Sequence, residues 1–142
     1  GIDIDRDTIH YARGKYYHPL VQYLQENTVD PELPEKLGQF DTIVSFETLE
    51  HVKEEDIFMS NIYDMLKPGG TLILSTPFGE GRGIKCGSPF HVHQLTEEEF
   101  KDLFHKYEDV TFYGQKGVLI EPLEDNRTDH LPIGIALCKK KK

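Results

Sequence analysis

The chain has 142 residues and a mass of 16.4 kDa, with 37% hydrophobic and 29% charged residues, a composition that supports one globular domain without disulfide staples. No apolar run approaches the roughly 20 residues that span a bilayer, and no secretory signal pattern is present. The formal net charge is −9; setting aside the terminal lysines at 139–142 leaves 12 basic against 25 acidic residues, an acidic body that repels phosphate backbones and argues against a nucleic-acid partner.

In chain order, Gly1-Ile2-Asp3-Ile4-Asp5 reads as a strand running into a turn. Domains rarely begin inside an element, so the sequence reads as starting partway into one. A helix is expected over residues 7–17, with Asp5 the better N-cap, and His18-Pro19 breaks it. Residues 20–25 then read as a strand. The β-rich run at residues 41–46 is long enough for a buried strand. Ile57, Phe58, Ile62, Met65 and Leu66 recur at three to four residues, which predicts a helix over 53–66. Lys67-Pro68-Gly69-Gly70 ends it, residues 71–76 form the next strand, and Pro77 closes it. Strand, helix, strand at this length is a βαβ crossover with parallel strands. The alternation as a whole predicts an α/β fold.

Gly79, Gly81, Gly83 and Gly87 follow. No helix start comes directly after them, so they do not make a phosphate-cradling loop; residues 78–93 read instead as a lid over a site. Thr96-Glu97-Glu98-Glu99 is a capping box, with Leu95 and Phe100 as its staple. Phe100, Leu103, Phe104 and Tyr107 give the helix a buried stripe. Strands near 109–114 and 132–138 finish the chain. The charges, Pro122 and Asn126 of residues 115–130 predict a long loop between them, and the terminal lysines form a solvated tail. Cys86 and Cys138 support no disulfide framework, and a reducing cytoplasm is the default setting.

In an open parallel sheet, ligands sit beyond the C-terminal strand ends. That rule selects Asp3, Asp5, Glu26, Asn27, Glu47, Glu50, His51, Pro77 and Phe78, with His91 and His93 after the lid. A carboxylate at a strand end can accept two hydrogen bonds from a vicinal diol. Asp3 is placed for that role, or for a turn before the first helix.

Three blocks, in this order and spacing, resemble a class I S-adenosylmethionine-dependent methyltransferase: Gly-Ile-Asp-Ile-Asp at 1–5, Phe-Asp-Thr-Ile-Val-Ser-Phe-Glu-Thr-Leu-Glu-His-Val at 40–52, and Leu-Lys-Pro-Gly-Gly-Thr-Leu-Ile-Leu-Ser-Thr-Pro at 66–77. Residues 90–100 are similar to segments of small-molecule members. The resemblance implies a Rossmann-like, mostly parallel sheet flanked by helices, with S-adenosylmethionine as cofactor. It implies that Asp3 holds the ribose hydroxyls, that Ile4 packs on the adenine, and that Phe46 and Glu47 lie near the methionine moiety. Asn27 stands where the family carries an Asp against the adenine amino group, and an Asn carbonyl accepts the same bond. The block at 66–70 has a structural role. The family's glycine-rich loop and first strand, which lies centrally in its sheet, are expected upstream of Gly1.

The implied reaction moves a methyl group from sulfur to an oxygen or nitrogen of a small-molecule acceptor, with no membrane partner. A base of near-neutral pKa suits it. His91 and His93 are the candidates, with His51 behind them; His91 and His93 flank Val92, so in an extended segment both face one side. The alternative is that they only bond the strand ends. Glu47, Glu50 and His51 with His91 or His93 offer a metal-ligand set as a second reading. A similar Glu-x-x-Glu-His pattern serves a few methyltransferase groups, including small-RNA 3′-end and quinone-precursor enzymes. Arg82, Lys85 and Tyr113 are expected to receive an anionic or sugar-like acceptor. A non-catalytic fragment acting through protein interaction is the reading from another class.

Overall fold

Asp5 sets the first helix. Its carboxylate accepts from Thr8 N at 2.8 Å and Thr8 Oγ1 at 2.7 Å, satisfying an orphan donor at the N-terminus of α1 (Arg6–Lys15). These bonds hold the Asp5 carboxyl below its ordinary pKa. The structure, a computed structural model, describes residues 1–124 and 129–142. α1 connects β1 (Ile2–Asp3) to β2 (Leu24–Gln25), which pair in parallel as Ile2 with Leu24 and Asp3 with Gln25. Arg13 clamps helix to strand, donating from Nε and Nη2 to Tyr23 O at 2.9 and 2.6 Å.

The strand expected at 20–25 is cut to its last two residues. The turn that His18-Pro19 starts runs on: Val21 N donates to His18 O at 3.0 Å and Leu20 N to His18 Nδ1 at 3.2 Å. Those amides are engaged in the turn and cannot join a ladder.

α2 (Leu33–Leu37) carries Pro34 in its first turn and ends at Gly38, whose φ is +75°. β3 (Phe40–Phe46), a 3-10 turn at Leu49–His51, α3 (Glu55–Met65) and β4 (Leu66–Pro77) form the expected βαβ unit. β3 and β4 are parallel, from Thr42 opposite Thr71 to Phe46 opposite Ser75. Residues 67–70 interrupt the register between the Phe40–Leu66 pair and Thr42. Gly70 is required there, since a Cβ would sit 2.8 Å from Lys67 O. The block at 66–70 is therefore a backbone device.

The capping box at Thr96 is present in both directions and starts α4 (Glu97–Asp102). α4 is short, and Tyr107 falls in a strand, β5 (Tyr107–Lys116), although it is buried as the stripe requires. The long loop expected over 115–130 is partly a hairpin: β6 (Leu119–Pro122) pairs antiparallel with β5, turning at Gly117 with φ +60°. Val118, Leu119 and Ile120 supply the β-prone run that the flanking charges obscured. Asn126 lies outside the described residues. β7 (Ile133–Lys140) takes up two of the four terminal lysines. Lys140 is a helix cap and not part of a tail: its Nζ donates to Tyr63 O at 2.8 Å and Leu66 O at 2.9 Å, at the negative end of α3.

The larger sheet has the order β3-β4-β7-β5-β6, parallel at β3–β4 and antiparallel at its other three pairings. Its core lies on one face, where Leu72, Leu74, Ala136 and Cys138 meet Phe58, Ile62 and Phe100. Burial there raises the Cys138 thiol to about 12. The other face presents Ile73, Ile135, Leu137 and Tyr113 to a groove of about 590 Å³, and the outer edge of β3 leaves Val44 and Phe46 more than half exposed. No helix among the described residues is long and apolar enough to cross a membrane.

Candidate functional site

The C-terminal ends of β1, β2 and β3 face a common cleft of about 570 Å³. Asp3 and Ile4 come from the first, Asn27 from the second, and Glu47, Thr48 and His51 from the third. The two sheets are separate, so something must hold their ends in register. Asn61 on α3 does this. Its buried amide donates to Thr28 O at 2.9 Å and to Asp30 O at 2.8 Å, tying the loop after β2 to the helix that covers the larger sheet. The sequence reading missed Asn61, because a lone polar residue on a helix carries no signal until its partner loop is placed.

Each lining residue has a definite state. Asp3 Oδ1 accepts from Asp5 N at 2.8 Å, while Oδ2 takes no hydrogen bond from the described residues. Ile4 is 65% exposed, an apolar surface open to the cleft. Asn27 Oδ1 accepts from Val29 N at 3.2 Å in an Asx turn. Glu47 adopts φ +48°, uncommon for a residue with a Cβ, and Ser75 Oγ donates to its Oε1 at 2.7 Å. Ser75 is a second residue the sequence reading passed over. Phe46 points from the same strand end to the other face, where it and Glu47 border the apolar groove.

The histidines separate. His93 is buried, with Nε2 3.2 Å from Leu49 O and 3.8 Å from Glu55 Oε2. The backbone over 90–93 is bent instead of extended, so His91 and His93 do not share a side. His91 instead meets His51 edge to face, ring centroids 4.9 Å apart. His51 Nδ1 lies 2.8 Å from Phe90 O, and since a carbonyl only accepts, Nδ1 is the donor of that bond. His51 Nε2 is 3.8 Å from Glu50 Oε1. Glu50 is 2% exposed. Burial pushes its carboxyl above the ordinary pKa, and the charge of Glu47 adds to the rise. The ligand-type atoms of Glu50, His51 and His91 lie within 4.8 Å of one another, the one such group among the described residues. Of the residues weighed from sequence as metal ligands, Glu50, His51 and His91 gather, while Glu47 and His93 are not in this group.

Residues 78–93 are fastened at several points. Gly79 N donates to Leu95 O and Gly81 N to Gln94 O, both at 2.9 Å. Arg82 Nη2 meets Glu55 Oε1 at 2.7 Å, and its backbone N–H donates to the Glu99 carboxylate. Arg82 is therefore committed within the protein. Tyr113 lines the groove on the bare sheet face. The expected anion site at Arg82, Lys85 and Tyr113 does not form as a unit.

The sequence profile of the family described as "Methyltransferase domain" matches residues 1–74. Among curated proteins, the chain is 32% identical over 107 residues to a protein of Mycolicibacterium smegmatis described as a probable S-adenosylmethionine-dependent methyltransferase, covering 72% of this chain and 40% of that one. It is 39% identical over 49 residues to the ubiquinone biosynthesis O-methyltransferase of Brucella anthropi, covering 34% and 20%. Among solved structures, a SAM-dependent methyltransferase from Archaeoglobus fulgidus superposes with a TM-score of 0.68 at 15% identity, covering 99% of this chain and 75% of that one. The chain spans about 40% of the length of the curated relatives it matches first.

Proposed function

The chain belongs to the methyltransferase-domain family, and on that premise we propose that it carries the cofactor cleft of an S-adenosylmethionine-dependent methyltransferase acting on an oxygen or nitrogen of a small-molecule acceptor. The observation that carries this reading is the convergence of Asp3, Ile4, Asn27 and Glu47, from three strand ends, on one cleft. The donor set fits the cofactor: a carboxylate with a free oxygen for the ribose diol, an uncovered apolar side chain for the adenine, and an anchored carboxylate for the sulfonium end. When bound, S-adenosylmethionine supplies an electrophilic methyl group on a positively charged sulfur.

The chain's own residues do the rest. Asp3 and Asn27 orient the nucleoside end. Glu47, pinned by Ser75, places negative charge at the end of β3, where it favours a cationic ligand without reorganising. An acceptor hydroxyl or amine would give up a proton on taking that methyl group. His51, which lines the cleft, and His91, edge to face with it and near the buried Glu50, are suited to handle that proton. His93, engaged with Leu49 O, holds the lid segment to the 3-10 turn. The acidic surface favours a small molecule over a nucleic acid. An O-methyl acceptor draws support from the ubiquinone-pathway relative.

The test is transfer of a labelled methyl group to a panel of phenols, catechols and amines. His91→Ala is expected to lower kcat by about 100-fold or more, in the range of general acid–base contributions, with KM for the cofactor little changed. Unaltered kcat in that variant contradicts the assignment.

A second reading is a binding module working through the outer edge of β3, and the exposure of Val44 and Phe46 there favours it. Absence of any cofactor binding, with retained folding, decides for that reading.

A further inference from the structure

We infer that the apolar groove on the bare face of the larger sheet holds the tail of the methyl acceptor, so that the acceptor is an amphiphile, a small polar head joined to a hydrocarbon tail. Its role as an acceptor site rests on the methyl-transfer reading; the class of ligand stands on the groove itself.

Three observations carry the assignment. The first is continuity. Glu47 lines both the cofactor cleft and the groove, so the carboxylate assigned to the sulfonium end stands where the two spaces meet. Ser75, which donates to that carboxylate at 2.7 Å, lines the groove beside it. A molecule lying in the groove thus has one end at the reacting end of the cleft.

The second is the order of side chains along the strands. Phe46, Ser75, Ile135 and Tyr113 pair straight across β3, β4, β7 and β5. One row nearer the strand ends, Gln115 sits between Ile133 and Ile120. One row further in, Ile73 lies opposite Leu137. The polar members Ser75, Tyr113 and Gln115 thus belong to the two rows at the cleft end, and the inner row of the groove is apolar. That order places a polar head beside Glu47 and a tail over Ile73 and Leu137. The three rows span about 13 Å along the strands.

The third is the composition of the face. β7 reads Ile-Gly-Ile-Ala-Leu-Cys over 133–138, apolar on both sides, whereas a strand with one side turned to water alternates apolar with polar. The side bearing Ala136 and Cys138 is packed in the core, while Ile73, Ile135 and Leu137 stay half-buried over the groove. A volume of about 590 Å³ with a few polar groups among apolar ones suits a small molecule. Of the trio expected to receive an anionic or sugar-like acceptor, Tyr113 lines this groove and Arg82 is paired elsewhere.

The test is calorimetric titration of the cofactor-free protein with para-ethyl-, para-butyl- and para-hexylphenol, followed by methyl transfer to the same series. Expected is an affinity that rises about two- to fourfold per added methylene, with KM for transfer falling in step. The double variant Ile135→Ser, Leu137→Ser, checked for folding by circular dichroism, should flatten the rise while its affinity for S-adenosylmethionine stays parental. Val118→Ser, on the exposed hairpin turn, should keep the full rise. A flat series in the parent, or the full rise in the double variant, overturns the inference. Sedimentation velocity is run beside the titrations: a dimer that the double variant abolishes assigns the face to a second copy and also overturns it. Cofactor binding with a flat phenol series removes the groove and leaves the methyl-transfer reading. A full rise without cofactor binding removes the acceptor role and leaves an apolar-ligand site.

Discussion

At the scale of single residues, Glu50 sets function against stability. Its carboxyl pKa is raised by burial, so the fold favours the neutral form. That stabilisation is fully present below the carboxyl's unfolded pKa and is lost as pH rises through the folded value. In metal-free protein, Glu50→Gln should therefore raise Tm at pH 7–8 by about 2–4 °C, with the gain shrinking toward pH 4. Thermal unfolding at the two pH values checks this, and a Tm lowered at pH 7–8 counts against it. The cleft residues were legible because strand ends in such sheets meet ligands, which picked out Asp3, Asn27 and Glu47 before any coordinates. The divergence of His91 and His93 was not. It depends on a bend over 90–93 that places His91 beside His51 and His93 against Leu49, and alternation counted along an extended segment has no access to it.

At the scale of elements, two fastenings hold the site together. Asn61 joins the loop after β2 to α3, and Asn61→Ala leaves Thr28 O and Asp30 O without their donor. The expected loss is about 1–3 kcal/mol of stability, measured by urea unfolding, together with weaker cofactor binding. An unchanged midpoint would remove Asn61 from the account. Arg82 fastens the segment at 78–93 to Glu55 and Glu99. Glu55 Oε2 is buried without a hydrogen-bond partner among the described residues, so Arg82→Ala removes the ion pair and hydrogen bonds of a mostly buried carboxylate. Amide hydrogen exchange over 79–92 should then accelerate by about tenfold while the amides of β4 and β7 hold. The sequence showed the capping box, the βαβ unit and the Gly70 turn because each is local. It hid α2, which is too short for periodicity, and the β5–β6 hairpin, where Pro122 and the surrounding charges outweighed Val118–Ile120.

At the scale of the whole molecule, the two parallel strands β1 and β2 and the edge strand β3 of a mixed five-stranded sheet bring their C-terminal ends to one cleft. A single helical layer buries one face of the larger sheet and leaves the other apolar and open. Fold class and family were legible because the blocks at 1–5, 40–52 and 66–77 keep their order and spacing. The antiparallel return of β7 beside β4, with β5 beyond it, was not, since strand order is fixed by packing between distant segments. The measurement that tests the central claim most directly is calorimetric titration of the protein with S-adenosylmethionine, beside Asp3→Ala. The account predicts saturable one-to-one binding, weakened by about 10–100-fold when the diol-binding carboxylate is removed. Equal affinity in the two proteins, or no binding by either, contradicts it.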